Sequence, residues 1–262
     1  MKDQFRYLLA EKVLTPALTK PGINKVQIEL KGYPSFVRDL WVVDVASGLK
    51  KPVKLAVSGV AKSFRDQLTA IPGLTLEDFK AGGKYDAIIA SGLKAQPKAG
   101  EKPKLILGDL PAEVLAAVKA GTPLLAYVPE DGLAEGVAMQ LSGLGLFTYA
   151  GQVGNLRAPW MGNWNYLRAH PIFDGLPVDQ ATSVWHQVEG QPSNGLLIDG
   201  PVIGPDGIEV IAAYSRDHDR HNGAATFTVR KDGMKVLVHR LPDMVAPLQR
   251  RFLINAIGWL AE

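Results

Sequence analysis

"GTPLLAYVPEDGLAEG", Gly121 to Gly136, is the stretch whose reading decides the fold. Its apolar run through Val128 reads as a buried strand, followed by a sharp turn and the start of a helix. Many α/β proteins mount a nucleophile on this backbone, because N–H groups at the helix N-terminus face the turn. Here the turn holds Val128, which has no reactive atom, and Pro129, which has no N–H. Glu130 and Asp131 follow in the first helical turn, where acidic side chains complement the helix dipole. The stretch is expected to be a strand-to-helix connection that keeps the elbow without its chemistry.

Outward from this stretch the pattern repeats. From Pro52, "VKLAVSG", "LTLEDF", "YDAIIASG" and "KLILGD" read as strands, and "KSFRDQLTAI" and "PAEVLAAVKAG" as helices. Pro111 is placed to open the second helix and Gly121 to stop it. "AQPKAGEKPK" is a Pro/Lys-rich loop. Strands alternating with helices predict an α/β domain, with a mainly parallel sheet covered by helices on both faces. Beyond residue 150 the chain is loop-rich, with candidate strands at Ile208–Tyr214, Ala224–Val229 and Lys235–His239. "PLQRRFLINAIGWLA" is a closing helix expected to bury Leu248, Phe252, Ile257 and Leu260. Residues 1–52 differ: a helical spacing of Phe5, Leu8, Leu9 and Val13, then strand candidates in "NKVQIELKGY" and "DLWVVDV". They read as a β-rich extension or linker ahead of a domain at 53–262.

Composition narrows the chemistry. The chain has 262 residues, 47% of them hydrophobic and 21% charged, with no apolar run long enough to span a bilayer. No signal peptide is read at the N-terminus. The formal charge is +3, and the basic excess lies early, with ten Lys/Arg against five Asp/Glu in residues 1–54. No basic helix face follows, so neither nucleic acid nor membrane is expected as a partner. There is no cysteine, which excludes disulfides, thiolate metal sites and a cysteine nucleophile.

Three groups of residues could carry chemistry. "AYSRDHDRHNG" (Ala213–Gly223) holds Arg216, Asp217, His218 and Asp219 with Arg220 and His221. Asp with His can bind metal or move protons, yet two arginines oppose a cation and favour an anionic ligand or internal ion pairs. No metal or cofactor is expected. "RAPWMGNWNYLRAHPIFDGLP" (Arg157–Pro177) concentrates Trp160, Trp164, Tyr166 and Phe173 with Asn163, Asn165 and Arg168. Aromatic faces beside amides suit a sugar ring, or else fill a core beneath a long loop. His239 follows a buried strand and is either a base or a satisfied structural histidine.

The run from "VKLAVSG" through "YDAIIASG" and "GTPLLAYVPEDG" to "QRRFLINAIGWLA" resembles the class I glutamine-amidotransferase-like fold, in its trehalose-utilisation-type branch. "HPIFDGLP" and the closing helix with Asn255 are familiar there. "RAPWMGNWNYLRAHPIFDGLP", "YSRDHDRHNGAATF" and "KVLVHRLPDMVAPLQRRFLINAIGWLA" look like the C-terminal domain of some family-2 glycoside hydrolases, the β-galactosidase and β-glucuronidase group. The resemblance implies a flavodoxin-like three-layer sandwich over residues 53–262. It places the nucleophile on or beside Val128, where none stands, and a vestigial base at His239, followed by Arg240-Leu241 rather than Pro-Glu. No catalytic residue carries over, and glutaminase chemistry is excluded.

The expected function is therefore a non-catalytic accessory domain of a carbohydrate-active enzyme. It would serve interdomain packing, oligomerisation or the shaping of a sugar surface. Its partners would be other domains of a larger glycosidase or a second copy, with carbohydrate as a possible ligand, in a bacterial cytoplasm or periplasm. The alternatives are a stand-alone sugar-metabolism enzyme using Asp217, His218 and His239 for acid–base chemistry, or a carbohydrate-binding module.

Overall fold

The computed structural model describes residues 20–29, 31–94, 108–129, 131–154, 163–181, 194–200, 207–216, 222–241 and 243–262. The helical spacing of Phe5–Val13 and the Pro/Lys-rich loop lie outside the described residues. Backbone contacts divide the chain into Met1–Val42 and Val43–Glu262. In the first unit, β1 (Gly22–Ile28) and β2 (Phe36–Val42) form an antiparallel ladder running from Gly22 opposite Val42 to Ile28 opposite Phe36. Lys25 and Asp39 face each other across it and pair at 3.1 Å.

The second unit opens with β3 (Val53–Ser58), α1 (Lys62–Thr69), β4 (Leu74–Asp78), β5 (Ala87–Ala90) and the short strands β6 (Leu93–Lys94) and β7 (Gly108–Asp109). There follow α2 (Ala112–Lys119), β8 (Leu124–Tyr127), α3 (Asp131–Gly143), β9 (Thr148–Gly154) and β10 (Asn163–Leu167). A 3-10 turn at Pro171–Phe173 leads to β11 (Gln180–Ala181) and β12 (Asn194–Asp199). The chain closes with β13 (Ile208–Arg216), β14 (Asn222–Lys231), β15 (Met234–His239) and α4 (Ala246–Ala261). No described helix is long and apolar enough to cross a membrane.

The main sheet is mixed. Strands β4, β3, β5, β8 and β15 lie side by side in that order, all parallel. Beyond β15 the pairing turns antiparallel through β14, β13, β10 and β11, with β12 joining β14 to β9. The expectation of a mainly parallel sheet is thereby corrected. The physical reason is the connection at Asp232-Gly233, where both residues take positive φ (50° and 78°) between Lys231 and Met234. Such a two-residue turn can only reverse the chain, so β14 and β15 must run antiparallel.

The apolar runs of β5 and β8 are buried along their whole length, as parallel strands covered on both faces must be. Val53, Leu55, Val57, Ile89, Leu125 and Leu237 share a cluster with Phe64 and Leu68 of α1 and with Leu248, Phe252 and Ile257 of α4. Ala56, Ile88, Leu124, Ala126, Val128 and Val236 cluster instead with Val114 and Val118 of α2 and Val137 and Leu141 of α3. Alternate residues of one strand thus serve two sets of helices.

Local signals set the ends. Gly121 takes φ 95° after α2, and Thr122 N–H donates to Ala117 O at 3.0 Å, closing the helix with a left-handed residue. Gly136 in α3 sits so close to β7 that a Cβ there would come 2.1 Å from Gly108 O. Gln140 brackets the Leu110 peptide, accepting from its N–H at 2.8 Å and donating to its carbonyl at 3.1 Å. The segment after Val43 is tied to α4: Arg251 pairs with Asp44 at 3.1 Å, Arg250 donates to Val45 O at 3.0 Å, and Lys51 to Ala261 O at 2.6 Å.

Candidate functional site

Ligands of open α/β sheets bind beyond the carboxyl ends of the parallel strands. Here those ends present Ser91 after β5, Val128-Pro129 after β8 and His239-Arg240 after β15. Tyr127 lies in register with His239, and Val128 N–H donates to His239 O at 2.8 Å, so the elbow and the histidine are direct neighbours. Val128 is wholly buried and Pro129 half-buried. The Ser91 hydroxyl is committed to Tyr127 O at 2.7 Å. The elbow offers no nucleophile.

His239 has become part of the core. Its ring stacks on Phe252 at 4.1 Å and faces Tyr127 at 5.7 Å, while Tyr127 stacks on Phe64 at 4.1 Å. Phe173 continues the series, 5.9 Å from Phe252. Five rings, Phe64, Tyr127, His239, Phe252 and Phe173, thus form one ladder beneath α1 and α4, each step inclined by less than 30°. The imidazole Nδ1 shares a hydrogen bond with Thr226 Oγ1 at 2.9 Å, and Nε2 has no partner among the described residues. Burial alone pushes its pKa down to about 3, so the ring is neutral at physiological pH.

A polar clamp closes the end of the ladder. Tyr127 Oη donates to the Asp243 carboxylate, which also accepts from Gln249 Nε2 at 3.3 Å and Gln67 Nε2 at 3.2 Å. Gln249 Oε1 accepts in turn from Met244 N–H at 3.2 Å. Asp243 therefore links α1, β8 and α4 across this edge. Neither it nor Gln249 stood out in the sequence, because the clamp joins residues more than 100 positions apart.

On the opposite side of the sheet Arg240 is fully buried. Its charge acts on Tyr149, whose pKa is raised chiefly by burial, with Glu135 adding to the rise and Gln152 and Arg240 opposing it. The sequence marked Arg240 only as a departure from an expected Pro-Glu. Its burial among titratable groups had no local signal.

Asn163, Trp164 and Arg216 fall on the same edge by strand direction. β13 runs antiparallel to β14, which runs antiparallel to β15, so Arg216 ends and Asn222 begins on the side where β15 ends. β10 runs antiparallel to β13 and pairs Asn163 with Arg216 and Trp164 with Ser215, bringing its first residues to that side. The described parts of the two runs picked out in the sequence therefore adjoin. Tyr166 lies further along β10, opposite Ala213, and is 38% exposed. Trp160, Asp217, His218 and Asp219 lie outside the described residues, and Asn163, Trp164 and Arg216 are placed by their backbone alone.

No protein-family model matches the chain, and no curated protein matches it. Similarity appears among solved structures. The carbohydrate deacetylase Agd3 overlaps 81% of this chain and 33% of its own, at 11% identity and a TM-score of 0.50. A cold-adapted β-galactosidase from Rahnella sp. R3 overlaps 79% of this chain and 31% of its own, at 10% identity and a TM-score of 0.41. The β-galactosidase from Bacillus circulans sp. alkalophilus overlaps 78% and 30%, at 14% identity and a TM-score of 0.43. The chain spans about a third of the length of each. The likeness is one of fold, to part of a carbohydrate-active enzyme.

Proposed function

We propose that the chain is a non-catalytic, amidotransferase-like domain of a carbohydrate-active enzyme of the family-2 glycoside hydrolase kind, and that its loop edge shapes a sugar-facing surface. The reading takes residues 53–262 as a flavodoxin-like three-layer sandwich. Its parallel strands in chain order are β3, β4, β5, β8 and β15, and their spatial order 2-1-3-4-5 supports that assignment. The observation that carries the function is the state of the inherited site. Val128 and Pro129 stand where a nucleophile would, and the base position, His239, is sealed in the ring ladder with its proton affinity suppressed.

That burial weighs against a stand-alone enzyme using His239 with Asp217 and His218, because a general base must reach its substrate's proton. Fold alone does not confer activity. The overlap with about a third of a larger carbohydrate deacetylase is consistent with one domain among several. The sugar-facing role rests on topology, since the strands bring Asn163 and Trp164 beside Ser215 and Arg216 at the edge that holds the elbow. Capture of the natural protein with an antibody against this chain tests the proposal. A polypeptide well above 28.3 kDa carrying glycoside-hydrolase or sugar-deacetylase activity is expected. A 28.3 kDa species that itself turns over a sugar substrate would overturn it.

A further inference from the structure

The segment "HPIFDGLP" contains a histidine that the ladder does not use. His170 is the N-cap of the 3-10 turn, with extended backbone (φ −160°, ψ 148°), and its Nδ1 accepts from Ile172 N–H at 3.2 Å. Only a neutral imidazole carrying its proton on Nε2 can accept at Nδ1. Nε2 lies 3.6 Å from the Glu209 carboxylate, and the His170 side chain is only 7% exposed. Trp259 of α4 stands edge-on to the ring at 6.2 Å, and Arg230 of β14 and Lys235 of β15 lie over that indole at 5.1 and 4.3 Å. Arg168, after β10, adds a further positive charge felt by His170.

The turn is joined to the core at two points. Asn255 of α4 donates to Ile172 O at 3.3 Å and Asp174 O at 2.8 Å, and Phe173 supplies the last ring of the ladder that contains His239. Loosening the turn therefore reaches the sheet face on which the candidate site is built.

We infer that His170 is an acid-sensitive latch: a proton taken from solvent by Nδ1 turns the acceptor into a donor, breaks the cap on Ile172 and loosens the turn that carries Phe173. Burial holds the imidazole below its ordinary pKa; Glu209 opposes this, and Arg168 and Arg230 reinforce it. The cap is thus intact at neutral pH and is lost as pH falls through the lowered folded-state value, below about 6.5. The turn then rests on Asn255 and on the burial of Ile172 and Phe173.

The test is an NMR titration of the whole chain from pH 7.5 to 4.5, following the His170 ring and the Ile172 amide. Both should move with one midpoint, and exchange protection of Ile172 should fall about fivefold, the equivalent of one N-cap. Glu209→Gln should move that midpoint to lower pH. His170→Asn, which keeps a capping oxygen and cannot titrate, should leave Ile172 protection flat. Different midpoints for ring and amide in the unmodified protein would overturn the latch, whether or not the variants fold. So would a transition that persists in His170→Asn.

Discussion

Replacing His239 by Phe should leave stability at neutral pH nearly unchanged and flatten its fall in mild acid. The substitution keeps a ring between Phe252 and Tyr127. It strips Thr226 Oγ1 of its 2.9 Å partner, at about 1–3 kcal/mol, and removes Nε2, a buried polar atom with no partner among the described residues and of similar cost. The two effects offset to within about 1 kcal/mol at pH 7. In acid the variants separate. The imidazole titrates near 6.5 in the unfolded chain and near 3 in the folded one, so the unfolded state binds the extra proton between those values. A histidine whose folded pKa is depressed loses stability as pH falls below the unfolded pKa. From pH 7 to pH 5 this linkage amounts to about 2 kcal/mol. Urea unfolding of both proteins at pH 7 and pH 5 measures it. The unmodified protein should lose about 2 kcal/mol more than His239→Phe over that interval, since His170 and every other titrating group are common to both. Equal losses would refute the buried neutral imidazole.

Other consequences follow from single contacts. Gly136→Ala places a methyl 2.1 Å from Gly108 O and should cost about 1–3 kcal/mol in urea unfolding, as overpacking does. Gly258→Ala, also helical but facing open space, should instead stabilise by up to about 1 kcal/mol. Asn255→Ala removes both bonds to the turn and should cost about 1–2 kcal/mol, with loss of exchange protection at Phe173 and Leu176 that His239→Phe does not share. Tyr127→Phe keeps the ladder and cuts the tie to Asp243, and should lower Tm by roughly 2–4 °C, the equivalent of about 1 kcal/mol.

The parallel half of the domain was legible because its signals are local. "AIIA" and "LLAY" are short apolar runs, and Pro111 and Gly121 bracket α2 as their backbone preferences require. The closing helix buries Leu248, Phe252, Ile257 and Leu260 as its spacing implies. Strand direction after residue 150 was harder to read, although one clue was present. Asp232-Gly233 marks a reversal, but only when the flanking runs are taken as one hairpin rather than as separate strands. β9 and β10 lack a continuous apolar run, β12 has only Leu196–Ile198, and their pairing depends on partners far along the chain.

The site divides in the same way. The empty chemistry of Val128-Pro129 is visible in two letters. The fate of His239 is not, because Thr226, Tyr127 and Phe252 come from three different elements. Of the aromatic residues singled out for a sugar, Trp160 lies outside the described residues, Trp164 is placed by its backbone alone, and Tyr166 is exposed on β10. Of the rings that organise the core, Phe252 follows from the spacing of the closing helix and Phe173 sits in the aromatic run, whereas Phe64 and Tyr127 stand singly and carry no pattern of their own. Arg240 shows the limit most clearly, since a fully buried arginine is rare and nothing in "VHRLPD" announces it.

Turnover by the purified chain is the most direct test of the central claim. Glutamine, nitrophenyl glycosides and acetylated sugars should be supplied to the unmodified protein and to His239→Phe in parallel, with folding of both checked by circular dichroism. No substrate should be consumed above the uncatalysed rate by either protein. Turnover by the unmodified chain that vanishes in a folded His239→Phe would contradict the account, because it would make the ladder's histidine a working base.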